Sequence, residues 1–201
     1  MLSILTAPEP FSGDTAFVQS VLDHLRIFAD LDAATPIKPE DIDLIRTLVD
    51  TAASRLDGPH GNLGRCLLEQ SWTLTLDGFR PDICLLGPAI SVDAVRYKDT
   101  SGAWQTLASS AYRLLGKSSW KPELCAAYGT EWPAALSDRE TVEIDFTAGY
   151  GEVSDVPAPI LQAIRLWVAH MYVERQLVTF SNPSEIPFGA AALLSPYKVY
   201  R

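Results

Sequence analysis

The chain has 201 residues and a net charge of −9, from 25 acidic and 16 basic residues, together with 47% hydrophobic residues and a mean hydropathy of +0.07. This apolar fraction excludes a disordered or low-complexity chain, and the length predicts one domain or two closely packed lobes. A pI near 4.7 excludes a protein that follows nucleic-acid phosphates or an anionic membrane surface, since both need clustered lysine and arginine. The acidity is uneven: residues 1–60 hold 10 acids and 4 bases, whereas residues 151–201 hold 4 of each.

The cysteines and the most apolar segments indicate the compartment. Cys66, Cys84 and Cys125 form no CxxC pair, so we expect reduced core residues in an intracellular protein and neither a zinc site nor disulfides. The N-terminus lacks the basic region of a signal peptide. Polar residues interrupt the apolar segment 160–173, so no membrane span is expected.

Two helices are predicted in the first third of the chain. The first covers residues 14–28, with Asp14 as its N-cap and apolar residues along one face. The second covers residues 39–56, where Pro39 suits a first helical turn and Gly58 follows the end. The outer face of this helix carries a polar stripe, which we define as Asp43, Thr47, Asp50, Ser54 and Asp57. The stripe is either an ordinary solvated face or a surface that repels polyanions.

From residue 69 the hydrophobic period changes from that of a helix to that of a strand. Trp72, Leu74 and Leu76 alternate with polar residues, and glycine or proline turns separate most of the segments that follow. The predicted strands are residues 72–77, 82–86, 90–98, 104–107, 111–115 and 141–147. We expect a mostly antiparallel sheet or small barrel, and an irregular loop over residues 120–133.

Helix is predicted again after residue 155, where Ile160 and Ile164 belong to a strong apolar stripe of helical period. Two prolines favour an extended arm over residues 179–188, and residues 189–195 are predicted to form a short last helix. The fold class is therefore α+β, with a helical core of two N-terminal helices, one long C-terminal helix and a short last helix, and with a β-rich, mostly antiparallel insertion.

The same pattern predicts the organisation of the chain. Residues 1–66 form the N-terminal helical part, residues 67–150 form the β-rich insertion, and residues 151–201 supply the helix and arm that complete the helical core. We expect these three parts to form one structural domain.

The sequence contains no recognisable catalytic or metal-binding pattern. The three histidines lie in separate segments without HExxH spacing, Gly116-Lys117-Ser118 lacks the first glycine of a P-loop, and GxSxG does not occur. Glu143 and Asp145 share one face of a predicted strand, but such pairs arise by chance among 25 acids. We therefore expect no enzyme, no metal and no cofactor.

Aromatic residues occur in several predicted loops and near the C-terminus. They are Phe79, Trp120, Tyr128, Trp132, Phe180, Phe188, Tyr197 and Tyr200. Aromatic side chains are enriched at protein interfaces, where they bury large areas, but loop aromatics also pack locally. Contact between subunits and local packing both stay open as interpretations.

Three segments form a specific combination: residues 70–79 (QSWTLTLDGF), 146–151 (FTAGYG) and 156–160 (VPAPI). Together with residues 24–26 and 193–197, they resemble the head–tail connector proteins of long-tailed bacteriophages, also called adaptor or head-completion proteins, which occur in gene transfer agents too. The resemblance covers nearly the whole chain. The connection over residues 28–38 is longer than in that family.

The resemblance implies a structural protein without catalytic residues or cofactors. Such adaptors form a ring, commonly of twelve copies, beneath the portal protein, where the ring extends the DNA channel and docks a stopper or tail-completion protein. The implied partners are therefore further copies of this chain, the portal protein and the stopper or tail-completion protein. DNA would pass without specific binding, no membrane would take part, and the particle neck would assemble in the bacterial host cytoplasm.

Two other functions stay open beside the adaptor. One is another neck or tail-completion protein, such as a stopper, and the other is a small hydrolase, which would need a converging polar pocket. For the adaptor we form two hypotheses. Asp43, Asp50 and Asp57 face the channel, where carboxylates avoid binding phosphates. Residues 179–201 form an arm that contacts the portal, with Phe180, Ile186, Phe188, Tyr197, Lys198, Tyr200 and Arg201 as its contact residues.

Overall fold

In a computed structural model, residues 1–28, 39–173 and 188–199 are described, and their packing divides the chain into two units. The β unit contains residues 1–8 and 65–151, and the helical unit contains residues 9–64 and 152–201. The sequence pattern assigned residues 1–8 to the helical part, whereas they pair with the β unit. The expectation that the whole chain forms one domain stays a prediction.

Eight strands form the two sheets of the β unit, and all neighbouring strands are antiparallel. The strands are β1 (Leu2–Thr6), β2 (Gln70–Leu76), β3 (Asp82–Cys84), β4 (Ala89–Lys98), β5 (Trp104–Thr106), β6 (Tyr112–Leu115), β7 (Glu123–Ala126) and β8 (Val142–Ala148). The five-stranded sheet has the order β1-β2-β8-β4-β5, and the three-stranded sheet has the order β3-β7-β6. The antiparallel insertion predicted from the sequence is confirmed.

The strand alternation read from the sequence places large apolar side chains on one face. Trp72 of β2 pairs with Phe146 of β8, and Leu74 pairs with Ile144. Phe146 and Ile144 are completely buried, in one cluster with residues of the three-stranded sheet such as Leu124. Burial of such side chains is the dominant favourable contribution to folding, so this shared core holds the two sheets of the β unit together.

Two strands differ from the sequence-based expectation. β1 was not predicted, and it lies at a sheet edge where Ile4 and Leu5 remain 50% and 63% exposed. β7 lies within residues 120–133, so the expectation of an irregular loop there was wrong. Its consecutive residues Leu124 and Cys125 are both buried, which hides the alternation by which a strand is recognised. Pairing with a strand on each side fixes β7 instead.

Within the described residues, four α-helices build the helical unit, as predicted. They are α1 (Thr15–Phe28), α2 (Pro39–Leu56), α3 (Ala158–Val173) and α4 (Phe188–Leu194). Asp14 caps α1, because its Oδ1 accepts a hydrogen bond of 2.8 Å from the Phe17 N–H. Apolar residues at helical spacing are buried, among them Val21, Val49 and Ile164. The α+β fold class is therefore confirmed. No helix in the described ranges is both long and apolar enough to cross a membrane.

Arg165 of α3 contacts α1 through an aromatic ring and a hydroxyl group. Arg165 stacks on the ring of Phe17, with 5.3 Å between the guanidinium carbon and the ring centroid, and its Nε donates to Ser20 Oγ at 3.1 Å. Burial lowers the pKa of Arg165. Burial, and in second place the charge of Arg165, lower the pKa of His24 below 6.5. Protonation of His24 is therefore disfavoured in the folded unit.

This environment makes the stability of the helical unit depend on pH. Folding lowers the pKa of His24. The contribution of neutral His24 to stability is therefore fully present above pH 6.5 and is lost as the pH falls through the lowered pKa. We expect His24→Gln to flatten the stability curve on the acid side of pH 6.5. Urea unfolding between about pH 5 and 8 measures this. An equally steep acid decline in the variant would contradict the assignment.

Candidate functional site

The carboxylate pair considered for acid–base chemistry is part of an ion-pair network on the sheet. Arg96 Nη2 lies 3.1 Å from Glu143 Oε2 and 2.8 Å from Asp145 Oδ2. Asp145 Oδ1 also accepts a hydrogen bond of 2.7 Å from Thr73 Oγ1. These interactions link the three strands β2, β4 and β8, which is a structural role. Among the described residues, no group of three or more His, Cys, Asp or Glu side chains could hold a metal ion.

The motifs that carry the family resemblance also have structural roles. Gln70 Oε1 accepts a hydrogen bond of 3.1 Å from Trp72 Nε1, and Gln70 Nε2 donates to the Leu68 carbonyl at 3.2 Å. Tyr150 accepts a bond of 2.8 Å from Arg65 Nη1 through its hydroxyl oxygen. Buried polar groups need such partners, so segments 70–79 and 146–151 specify the β unit.

The polar stripe of α2 does not present three equivalent carboxylates. The Asp43 side chain is 80% exposed, and its Oδ1 lies 3.6 Å from Arg46 Nη1. Asp50 is half-buried and accepts hydrogen bonds from the Ser12 N–H at 2.9 Å and the Ser12 hydroxyl at 2.6 Å. Asp57, just beyond the helix, is also half-buried. The stripe thus combines an exposed charge at Asp43 with a structural contact at Asp50.

Alanine substitutions separate these two roles. Asp50→Ala removes both bonds to Ser12, and we expect it to destabilise the protein by roughly 2–3 kcal/mol, as for hydrogen bonds to charged groups. Asp43→Ala removes only an exposed ion pair and is expected to cost less than about 0.5 kcal/mol. Urea unfolding of both variants gives the comparison. Equal losses for the two variants would contradict this assignment.

The C-terminal segment is folded against the helical unit up to its last described residue. Ala190 is completely buried and Leu194 is 5% exposed. The Val199 N–H donates to the Leu63 carbonyl at 2.9 Å. Gly64 lies beside this contact, where a Cβ would come within 3.2 Å of the Val199 oxygen. These contacts anchor the described tail within the helical unit.

The proposed arm residues are therefore only partly located. Phe188 is the first residue of α4, Tyr197 is half-buried in the one-turn helix Ser195–Tyr197, and Lys198 is exposed. The other predicted contact residues lie outside the described residues: Phe180, Ile186, Tyr200 and Arg201.

A hairpin between β6 and β7 forms an exposed basic surface. We name residues 113–121 the basic tip: they include Arg113, Lys117 and Lys121 and contain no acid. Trp120 is 56% exposed there. Lys121 Nζ lies 3.3 Å from Glu123 Oε1, and this hydrogen bond is the main cause that raises the pKa of Lys121. The tip is fixed to the sheet because the Lys117 carbonyl accepts a bond of 2.9 Å from the Ala89 N–H.

A cleft of about 660 Å³ lies beside the turn that follows β2. We name it the aromatic cleft, lined by Asp77, Phe79, Arg80, Glu131 and Trp132, among others. The rings of Phe79 and Trp132 are stacked at 4.7 Å with an interplanar angle of 6°. Asp77 Oδ1 accepts a bond of 3.0 Å from the Glu140 N–H, which joins the two loops of the cleft.

Sequence reasoning found the aromatic residues of both surfaces and missed their charges. Trp120, Phe79 and Trp132 were singled out as loop aromatics. The additional signal was present in the sequence: residues 113–121 hold three bases and no acid, whereas residues 131–140 hold three acids and one base. The two aromatic loops therefore carry local charges of opposite sign, and the net charge of the whole chain does not reveal this.

Solved structures with this fold come from gene transfer agent (GTA) particles. The chain is 25% identical to a chain of the neck of an empty GTA particle computed with C6 symmetry, with a TM-score of 0.73. It is 26% identical to a chain in the virion of a native GTA particle, with a TM-score of 0.74. A chain of the neck of a native GTA particle computed with C12 symmetry is 26% identical, with a TM-score of 0.69.

These similarities cover whole chains. Each match includes 100% of this chain and 96% of the other. No protein-family model and no curated protein matches the sequence. The chain thus has the fold of a structural component of GTA particles along its full length.

Proposed function

We propose that this chain is a structural protein in the neck of a gene transfer agent or related phage-like particle, and that it acts there as the head–tail adaptor. The single observation that carries the proposal is the full-length similarity to chains of GTA necks, at 25% and 26% identity. The motifs at residues 70–79, 146–151 and 156–160 support it independently. The protein assembles into the neck in the bacterial host cytoplasm and has no enzymatic activity.

The proposed assembly is a ring of twelve copies beneath the portal protein. Similar chains occur in necks computed with C6 and C12 symmetry, and cyclic rings need a contact between two different surfaces of each copy. Each copy contributes a net charge of −9, so mutual repulsion must be offset by complementary contacts between neighbours. The ring extends the DNA channel, and its far side docks the stopper or tail-completion protein.

The channel wall is proposed to include Asp43, Asp50 and Asp57. Of these, Asp43 has the most accessible carboxylate, with an 80% exposed side chain. Lysine and arginine bind DNA phosphates by displacing counterions, whereas carboxylates cannot form such contacts. DNA therefore passes a carboxylate-lined wall without specific binding. The portal contact is proposed for the C-terminal arm, from Phe180 and Ile186 to Tyr200 and Arg201.

Reconstruction of the neck in particles that carry this chain tests the proposal. The expected result is a twelvefold ring of this chain directly beneath the portal, with Asp43 towards the lumen. A position one ring further from the head would identify a stopper instead. Particles that contain no copy of the chain would contradict the structural role and would reopen the hydrolase alternative. Asp43 on the outer wall would contradict the channel hypothesis alone.

A further inference from the structure

We propose that the basic tip of one copy inserts into the aromatic cleft of the next copy, and that this head-to-tail contact links neighbours in the ring. The inference rests on the proposed function, because it names the contact by which the ring would form. Its occupant is a second copy of this chain. Three observations support it: the positions of the two surfaces, their charges and their aromatic residues.

The turn of the basic tip, residues 116–121, and the aromatic cleft lie at opposite ends of the β unit, whereas Arg113 pairs with Cys125, next to the cleft residue Ala126. The basic tip is bonded to Ala89, which pairs with Ala148 at the end of β8. The aromatic cleft begins at Asp77, directly after Leu76, which pairs with Val142 at the start of β8. Seven strand residues separate these ends by about 20 Å. The turn of the tip therefore lies away from the cleft of its own β unit and is free to contact the cleft of another copy.

The charges of the two surfaces are complementary. The basic tip carries three bases and no acid. The cleft is lined by the acids Asp77 and Glu131 and by one base, Arg80, and the adjoining residues 138–140 add two acids and one base. Each copy has a net charge of −9, so copies repel one another overall. Two surfaces of opposite charge attract neighbouring copies locally and fix their orientation.

The aromatic residues supply apolar contact. Trp120 is 56% exposed on the tip, and exposed tryptophan is typical of residues that dominate interfaces. The half-buried, mutually stacked rings of Phe79 and Trp132 line the cleft and provide the apolar surface there. The cleft volume of about 660 Å³ is in the range of binding sites in proteins.

Distinct surfaces at opposite ends give a heterologous contact. Such a contact repeats from copy to copy and closes into a ring when the rotation between neighbours permits. Nucleic acid is the competing occupant, since tips with lysine and tryptophan also bind single strands. The acidic cleft favours the protein partner, because it repels nucleic acid and attracts the basic tip.

Cross-linking in assembled particles tests the contact directly. The variant combines Ser118→Cys, at an exposed residue of the tip that leaves Trp120 in place, with Glu131→Cys, in a Cys84→Ser background that removes the exposed native cysteine. Mild oxidation of purified particles is expected to produce a ladder of covalent multimers of this chain on non-reducing gels. Either cysteine alone should give no ladder. A matched control pairs Glu131→Cys with Trp104→Cys, because Trp104 is also exposed, at 46%, and lies outside both surfaces.

Charge exchange provides a second readout. We expect Lys117→Glu and Glu131→Lys, each made alone, to lower the number of particles whose heads are joined to tails at least about tenfold. A loss of about 1.4 kcal/mol at the contact corresponds to this factor. The double variant should recover most of the loss, because the pair is restored with reversed signs. Thermal unfolding of each purified variant checks that it folds.

The outcomes separate this inference from the proposed function. A neck ring of this chain without a ladder and without recovery in the double variant overturns the contact and leaves the adaptor function intact. Absence of the chain from the neck overturns both. Binding of a fluorescent oligonucleotide by the purified protein, lost in Lys117→Glu and Trp120→Ala, would assign the tip to nucleic acid and also overturn the contact.

Discussion

Gly149→Ala is expected to destabilise the β unit by roughly 3 kcal/mol or more, through backbone strain and overpacking together. Gly149 has φ +128°, and a Cβ there would lie 2.2 Å from the Leu68 carbonyl oxygen. The backbone has little room to move away, because the Gly149 N–H donates to the Pro88 carbonyl at 2.8 Å on another side. The substitution thus disrupts the start of the segment that joins β8 to the helical unit.

A matched glycine separates crowding from backbone conformation. Gly102 also has a positive φ, +86°, but a Cβ there would meet nothing within 4 Å. Gly102→Ala is therefore expected to cost only about 1 kcal/mol, the strain of the left-handed conformation. Urea unfolding of both variants gives the comparison. Similar losses would mean that close approach to Leu68 does not explain the need for glycine at residue 149.

Shortening the C-terminus is expected to have two distinct effects, depending on where the chain ends. Removal of residues 188–201 deletes α4 with the buried residues Ala190 and Leu194, and it should destabilise the helical unit by about 3 kcal/mol or more. Removal of Tyr200 and Arg201 alone keeps the Val199 contact with Leu63. The shorter deletion should leave stability unchanged but should prevent the joining of filled heads to tails, if the arm contacts the portal.

Three measurements check this pair. Thermal unfolding reports the stability of each purified protein, electron microscopy counts filled heads without tails, and mass spectrometry of particles reports whether the shortened chain is incorporated. The longer deletion serves as the control for a folding defect. Normal joining by the protein that ends at Val199 would contradict the arm hypothesis for Tyr200 and Arg201. It would leave the ring proposal untouched.

The sequence was sufficient for the features that local periodicity determines. The helices follow from apolar spacing and from caps such as Asp14, and β2 follows from its alternating tryptophan and leucines. β7 was missed because its adjacent residues Leu124 and Cys125 are both buried, which no alternation reveals. β1 was missed because its pairing with β2 spans more than 60 residues of sequence. Local patterns contain no information on such partners.

Prediction of the candidate surfaces failed for the same physical reason. Asp50 shares the helix face of Asp43, yet it is bonded to Ser12, 38 residues away. The sequence could assign a face but not this contact. Trp120 and Trp132 were recognisable as loop aromatics, but their placement at opposite ends of the β unit requires strand register. Register over seven paired residues of β8 is a property of the folded sheet.

The two units are interleaved along the chain, and this determines the order in which synthesis can complete them. β1 is made long before β8, which its sheet needs and which ends at Ala148. α1 and α2 follow β1, yet their partner α3 begins at Ala158. Because native contacts of this kind form only after both segments exist, neither unit can be completed before the segment that carries β8 and α3 has been made. A copy therefore becomes competent to join its neighbours only after that segment has left the ribosome.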